Sequence, residues 1–166
     1  MIQRKEQLIF VRGGGDIATG TISRLFHSGY PVVILETTSP SAIRRQVALS
    51  EAVYDGESKV EDVTCIKVDS WEEAKEVLKE QKKVPLLVDP DCDILKQVRP
   101  WALVDAILAK KNLGTSRMMA DIAVILRTNA VTSPLKKESL INGSVTVINT
   151  VAELAPISYA DSSMDL

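Results

Sequence analysis

Apolar runs of strand length alternate with segments of helical periodicity between residues 8 and 126. Five runs fit strands: LIFV at 8–11, PVVIL at 31–35, VPLLVDP at 84–90, WALVDAIL at 101–108 and IAVIL at 122–126. Val and Ile fill PVVIL with little polar alternation, which is typical of a strand buried on both faces. Strands alternating with helices favour right-handed crossovers and a parallel sheet. We therefore predict a Rossmann-like, doubly wound α/β domain over 1–126, with a mainly parallel sheet and helices on both faces.

Three segments combine apolar residues at helical spacing with capping or terminating residues, and we predict helices at 16–28, 41–53 and 70–83. The last is the clearest, because Ser70 and Glu73 form a capping box. A shorter helix is predicted at DILKQV, 93–98. The turn signal Asp55-Gly56 and the alternating valines after it predict a hairpin or an extended crossing, then a strand ending near Asp69.

The pattern changes after Leu126. Residues 127–166 are predicted to form a C-terminal extension, with a hairpin turn at Asn142-Gly143 and a tail rich in Ser, Asp and Met. We therefore separate 127–166 from the domain over 1–126.

Composition removes several classes of function. The 166 residues suit one main domain, and 20 Lys+Arg against 22 Asp+Glu give a net charge of −2, which does not favour nucleic-acid binding. The two cysteines form no CxxC pair, so we expect reduced thiols, although Cys92 after a strand end could be reactive. His27 is the only histidine, so no histidine-based triad or metal site is predicted. No apolar run reaches the ~18 residues of a membrane span.

A glycine turn after the first apolar run carries the main candidate chemistry. It fits the dinucleotide-binding pattern GxGxxG/A, and its candidate binding residues are Gly13, Gly14, Gly15, Asp16 and Ala18. Glycines let the main chain approach a pyrophosphate at a helix N-terminus. Glu36 follows Gly13 by 23 residues, near the spacing of an acid that binds a ribose hydroxyl. The alternatives are a purely structural turn and, for Asp16, a helix cap that opposes a phosphate.

Further polar residues are expected at the carboxyl ends of the predicted strands, where open α/β sheets bind ligands. Arg44 could hold an anion through its guanidinium fork, or belong with Arg45 to a solvated pair that bridges to Glu51 or another acid. The other candidates are Asp89, Asp105, Lys110, Lys111 and Asn112. For the two lysines, an ordinary solvated loop is the alternative.

Several of these pieces occur together in a known family. The turn RGGGDIATG, the segment from Glu36 to IRR, the stretch EAVYDGE, the strand end VDP and the loop DAILAKKNLGT resemble the YqeB-type family. The resemblance covers about residues 7 to 124. The segment RTNAVTSPLKKES departs from the glycine-rich turn and further region that the resemblance leads us to expect after Leu126.

The resemblance implies a cytoplasmic bacterial role. YqeB-type proteins are regarded as accessory factors of selenium-dependent molybdenum hydroxylases, akin to the Rossmann half of xanthine dehydrogenase accessory factors. The resemblance thus implies a role in the maturation of a molybdenum centre, with a hydroxylase as partner. The ligand stays open between a dinucleotide, NAD(P) or FAD, and a molybdopterin-type cofactor.

Three hypotheses follow for function. The first is a maturation factor that binds a nucleotide or a phosphate-bearing cofactor at the glycine turn, with the residues of 110–112 closing over it. The second is a small NAD(P)-dependent oxidoreductase, for which the chain offers no Tyr-x-x-x-Lys pair. The third is a non-catalytic partner protein. Whether a reaction is catalysed, and whether the chain forms a homo-oligomer, stay open.

Overall fold

One mainly parallel sheet forms the centre of the protein. The computed structural model describes residues 6–109, 112–128 and 145–150. In these residues the strands are β1 (Ile9–Arg12), β2 (Val32–Glu36), β3 (Glu57–Val60), β4 (Val63–Val68), β5 (Lys83–Val88), β6 (Ala102–Asp105), β7 (Ile122–Thr128) and β8 (Val145–Thr150). Their order is β3-β4-β5-β2-β1-β6-β7-β8, and every pair is parallel except β3 with β4. The prediction of a mainly parallel α/β sheet is confirmed.

Helices cover both faces of this sheet. Helix α1 (Asp16–His27) packs on one face through Ala18 and Ile22. Helix α3 (Trp71–Glu80) packs on the other through Ala74. Because both faces are covered, every residue of β1 and β2 is buried, as their apolar sequences predict.

The order of the strands fixes where a ligand can bind. From β1 the chain moves to β2 and then to β3 and β4 at the edge of the sheet. It returns through β5, between β4 and β2, and then crosses to β6 on the other side of β1. The carboxyl ends of β1 and β6 therefore border the crevice of the topological switch point. The glycine turn follows β1 and lies at this crevice.

The long helix predicted over 41–53 is wrong. This segment contains two turns of 3-10 helix, Arg45–Val47 and Leu49–Glu51, and only α2 (Ala52–Asp55) is α-helical. Its backbone bonds to α1 and the glycine turn instead: Leu49 N donates to Thr19 Oγ1 at 3.0 Å and Ser50 N donates to Gly14 O at 2.8 Å. These tertiary hydrogen bonds compete with the intrahelical ones, so local periodicity gives the wrong answer here.

The predicted hairpin is present as β3 and β4, with its turn at Glu61 and Asp62. Asp55-Gly56 has a different role, because Gly56 ends α2 with a φ of +80°. The predicted cap of α3 is also present, since Ser70 Oγ accepts from Glu73 N at 3.2 Å. The short helix predicted over 93–98 is a 3-10 helix, Asp93–Lys96.

Of residues 127–166, the structure describes 127–128, which end β7, and β8, which pairs in parallel with β7. The turn predicted at Asn142-Gly143 lies outside the described residues, and the division of the chain at residue 126 stays a prediction. Among the helices of the described ranges, none combines the length and the hydropathy needed to cross a bilayer.

An exposed ion pair links α1 to the β3–β4 turn. His27 Nε2 lies 2.8 Å from Asp62 Oδ2, and His27 Nδ1 lies 2.7 Å from Ser23 O. Both of these partners are acceptors, so the ring satisfies both only as the imidazolium. The bond to Asp62, with the Ser23 carbonyl second, raises the pKa of His27 above 6.5.

We therefore expect this link to weaken at alkaline pH. The folded-state pKa of His27 is raised, so its stabilisation is complete below the unfolded pKa of about 6.5 and is lost as pH rises through the folded pKa. The melting temperature of the protein minus that of His27→Gln should be positive near pH 6 and shrink by about pH 9. A difference that does not change with pH would show that the imidazolium is not what holds the link.

Candidate functional site

A cavity of about 580 Å³ opens at the carboxyl edge of the sheet, beside the turn between β1 and α1. Backbone of Gly13 and Gly15 lines it, together with the ends of β2 and β5. Three carboxylates line it, Asp16, Glu36 and Asp89, and so do four residues with hydroxyls, Thr37, Ser39, Ser41 and Ser50. The volume suits a nucleotide-sized ligand.

Two of the three glycines of the turn have a structural reason. Gly13 has a φ of +93°, and a Cβ there would lie 3.3 Å from Ala106 O. A Cβ on Gly14 would lie 3.1 Å from Ser50 N. At these two positions, a purely structural turn is therefore enough to explain why the residue is glycine.

Gly15 is different from its two neighbours. It has an ordinary φ of −64° as the N-cap of α1, and a Cβ there would meet nothing within 4 Å. Gly15 lines the cavity. The absence of a side chain at Gly15 therefore has no steric cause in the described residues, and it leaves space for a ligand beside the backbone.

The first turn of α1 has amide donors at the cavity. The amides at a helix N-terminus lack intrahelical acceptors and favour a negative group. Within the described part of the chain, Ile17 N donates to Asp16 Oδ1 at 3.0 Å, whereas no acceptor is found for the amides of Gly15 and Ala18. The arrangement therefore has donors for a phosphate.

Glu36 is held rigidly between the turn and its own strand end. Its Oε2 accepts from Gly14 N at 2.7 Å, and its Oε1 accepts from Thr37 N at 2.7 Å. The residue is buried but lines the cavity. A carboxylate has about four acceptor positions, so two short bonds leave capacity for a ligand hydroxyl. The predicted acid is therefore in place, with an added structural role that the sequence pattern did not indicate.

Asp16 and Arg44 form an ion pair at the start of α1. Arg44 Nε lies 3.0 Å from Asp16 Oδ2, with side chains 70% and 19% exposed. The pair partly offsets the carboxylate that would oppose a phosphate there. The predicted bridge to Glu51 is made by Arg45. Whether Arg44 binds a ligand stays a prediction.

Asp89 lies on the wall of the cavity at the end of β5. Its two carboxylate oxygens accept from Asp93 N at 2.9 Å and from Ile94 N at 2.8 Å. It thereby holds the start of the 3-10 helix Asp93–Lys96. The structure brings Asp89 and Glu36 to the same cavity, as predicted from their strand ends.

Asp105 is part of a buried cluster with Arg12, which is one of the residues that line this cavity. Its Oδ2 accepts from Thr115 Oγ1 at 2.5 Å and lies 3.7 Å from Arg12 Nη1, while its Oδ1 accepts from Ile107 N at 3.1 Å. Arg12 also donates to the carbonyls of Pro90 and Leu113 at 3.2 Å. The buried carboxylate is therefore fully paired, and its observed role is to hold the loop after β6.

Asn112 belongs to the same loop. Its amide oxygen accepts from Thr115 N at 2.8 Å, and its amide nitrogen donates to Thr115 O at 2.7 Å. Neither Asp105 nor Asn112 is among the described residues that line the cavity. Lys110 and Lys111 lie outside the described residues, so the idea that 110–112 closes over a ligand stays a prediction.

Sequence reasoning gave no site role to Ser50 and did not find the tether made by Arg12. Ser50 lies inside the segment wrongly predicted as a helix, so nothing indicated that it reaches the glycine turn. Arg12 directly precedes the turn, but its buried contacts are long-range. No sequence signal of the kinds used above could have found these two contacts.

Neither cysteine has the exposure or the low pKa of a reactive thiol in the described structure. Both are buried and free. Burial raises the pKa of the Cys65 thiol and raises that of Cys92 to about 11. Cys92 is therefore protonated at neutral pH, and the idea that it is reactive gains no support. Among the described residues no group of three or more His, Cys, Asp or Glu is placed to hold a metal.

Fold and site together define a class: parallel α/β proteins in which a glycine turn after β1 and an acid ending β2 border one cavity. The chain is similar to an Escherichia coli (strain K12) protein named "Uncharacterized protein YqeB", with 47% identity over 120 residues. The match covers 72% of this chain but only 22% of that protein, so the chain spans about a fifth of the length of this relative. It supports the resemblance to YqeB-type proteins. No protein-family model matches the chain, and no solved structure matches it.

Proposed function

We propose that this chain binds a nucleotide, or the phosphate-bearing end of a pterin-type cofactor, at the glycine turn. The observation that carries the proposal is Gly15, which opens into a 580 Å³ cavity without any steric reason to be glycine. The ligand's phosphates would lie at the amides of Gly15 and Ala18. Its ribose, or an equivalent hydroxyl, would donate to Glu36, which two short hydrogen bonds already orient.

The wider role that we propose is maturation of a selenium-dependent molybdenum hydroxylase in the bacterial cytoplasm. Its support is the similarity to the YqeB protein together with the family resemblance of the motifs. Apolar side chains around the cavity add a physical argument. Ile43 is 97% exposed, and Ile17 and Ile107 are 40% and 37% exposed at the same cavity. Exposed apolar residues beside a ligand site fit a protein that another protein covers during transfer of a cofactor.

An oxidoreductase fits the described cavity less well. Hydride transfer to or from a carbonyl needs a nearby proton donor of suitable pKa. The described residues that line the cavity include no His, Tyr, Lys or Cys. The hydroxyls among these described residues belong to serines and a threonine, which are weak acids, so the described geometry favours binding over catalysis.

Replacing Gly15 with alanine should separate binding from folding. The backbone of Gly15 accepts a Cβ without strain. The stabilisation of about 0.4–1 kcal/mol from a stiffer unfolded chain is offset by the poorer fit of alanine as an N-cap, so the free energy of unfolding should change by less than about 1 kcal/mol. The new methyl group would occupy the space beside the pyrophosphate, and the Kd for NAD or ADP should rise at least about tenfold. Calorimetric titration of the protein and the variant measures both Kd values.

Gly20→Ala is the matched control, since a Cβ there also meets nothing within 4 Å and Gly20 is not among the cavity-lining residues. It should leave the Kd unchanged. In a thermal-shift screen, a ligand at 100 times its Kd should stabilise the protein by about 2.7 kcal/mol. Equal affinity in the protein and in Gly15→Ala would count decisively against a ligand at this turn.

A further inference from the structure

The hydroxyl of Ser50 is buried without a partner beside the proposed binding site. Ser50 is 1% exposed, and among the described residues its Oγ has no hydrogen-bond partner. Burying a hydroxyl without a hydrogen bond costs free energy, and most buried side-chain polar atoms in proteins do have a partner. An orphaned buried hydroxyl therefore needs an explanation.

Ser50 is also fixed in position relative to the glycine turn. Its N–H donates to Gly14 O at 2.8 Å, while the N–H of Gly14 donates to Glu36 Oε2 at 2.7 Å. Ser50 thus bonds to the carbonyl of Gly14, and Glu36 bonds to its amide. On the other side, Leu49 N donates to Thr19 Oγ1 at 3.0 Å, which ties the same segment to α1. These bonds set where the hydroxyl can be.

The position of Ser50 connects the orphaned hydroxyl with the cavity. Ser50 is one of the residues that line it, together with Gly15 and Glu36. Its low exposure shows that the hydroxyl lies behind the cavity surface in this structure, and because the hydroxyl has no partner it loses no hydrogen bond when χ1 rotates toward the cavity. The residues near it in the chain, Ala48, Leu49 and Ala52, are apolar and buried, so alanine would suit the protein packing at this position as well as serine.

We infer that Ser50 is a ligand-binding residue, whose hydroxyl rotates into the cavity when a nucleotide binds and donates a hydrogen bond to one of the nucleotide's oxygens. This inference rests on the nucleotide binding proposed above and adds a specific contact to it. A hydroxyl fits this place because Asp16, Glu36 and Asp89 are acceptors, and both oriented arginines of the cavity region already have partners. Ser50 supplies a neutral donor for an oxygen that these carboxylates would repel.

The test compares Ser50→Ala and Ser50→Cys with the unaltered protein, using the full chain. The melting temperature of each is measured without ligand, and the Kd for ADP is measured by calorimetry. We expect Ser50→Ala to melt at the same or a higher temperature without ligand, because it removes an unsatisfied group. Its Kd for ADP should rise about tenfold, which corresponds to about 1.4 kcal/mol. Ser50→Cys keeps a similar size but has a weaker donor. Its Kd for ADP should therefore lie between those of the unaltered protein and Ser50→Ala.

Ser58→Ala is the matched control. The Ser58 hydroxyl does have a partner, Leu49 O at 2.8 Å, and Ser58 is not among the cavity-lining residues. This variant should lower the melting temperature and leave the Kd unchanged. Titrations with inorganic pyrophosphate and with adenosine locate the contact: a loss of affinity with pyrophosphate assigns it to a phosphate oxygen, and a loss with adenosine alone assigns it to the sugar.

Two results would overturn the inference while leaving nucleotide binding intact. One is equal Kd values for ADP in the protein and in Ser50→Ala. The other is a lower melting temperature of Ser50→Ala without ligand and an unchanged Kd, as expected if the hydroxyl only holds an internal water. If the unaltered protein binds neither ADP nor pyrophosphate, the inference and the proposed function both fail.

Discussion

Gly13→Ala is expected to lower the free energy of unfolding by about 2–4 kcal/mol, the largest stability effect that we predict for one methyl group. Gly13 has a φ of +93°, a backbone conformation that is unfavourable for any residue with a Cβ. The added carbon would also lie 3.3 Å from Ala106 O and 3.4 Å from Ile107 Cα, which are backbone atoms. Relief would require β1 and the end of β6 to separate. Urea denaturation measures the loss.

Gly29→Ala is the control that separates these two causes. Gly29 has a similar φ of +82°, but a Cβ there would meet nothing within 4 Å. Gly29→Ala should lower the free energy of unfolding by about 1–2 kcal/mol, because of the backbone conformation alone. If the two variants lose equal stability, the close approach of β1 and β6 at the crevice contributes nothing, contrary to the account given above.

Glu36→Gln is expected to lower both the stability of the protein and its affinity for NAD. The substitution replaces one acceptor oxygen by an amide donor that faces Gly14 N or Thr37 N. Stability should fall by about 1–3 kcal/mol, because one buried amide loses a bond to a charged acceptor. The Kd for NAD should rise by at least about tenfold, since a carboxylate is the better acceptor for a ribose hydroxyl.

The same carboxylate should make the protein prefer NAD to NADP. The 2′-phosphate of NADP would lie beside a charge of the same sign, and Arg44 is already paired with Asp16. Glu36→Gln should reduce this preference, whereas Glu57→Gln, at an exposed acid on β3, should leave it unchanged. An unaltered preference in Glu36→Gln would show that Glu36 does not contact the ribose.

The parallel sheet could be predicted because its signals are local. Strands β1, β2, β5, β6 and β7 coincide with the five apolar runs, and α1 and α3 begin and end within about three residues of the predicted bounds. The segment over 41–53 failed for a physical reason. Its periodicity and capping residues are helical, but Leu49 and Ser50 donate their N–H groups to α1 and to the glycine turn. The local pattern of apolar and polar residues does not indicate such tertiary hydrogen bonds.

The candidate site was predictable in outline and not in its bonding. The sequence placed Gly15, Glu36 and Asp89 at one edge of the sheet, and the structure brings all three to one cavity. It could not show that Glu36 also holds the turn, because the spacing from glycine to acid is the same whether the acid binds sugar or backbone. Arg12 and Asp105 meet through long-range contacts that no local motif encodes.

The most direct test of nucleotide binding is a crystal structure of the chain soaked with NAD. Our account predicts density for a pyrophosphate beside the amide of Gly15, with a ribose hydroxyl within hydrogen-bonding distance of Glu36. It would be contradicted by a soaked crystal in which this cavity stays free of ligand while NAD is bound elsewhere, for example near Tyr30 and Lys83 at the opposite edge of the sheet.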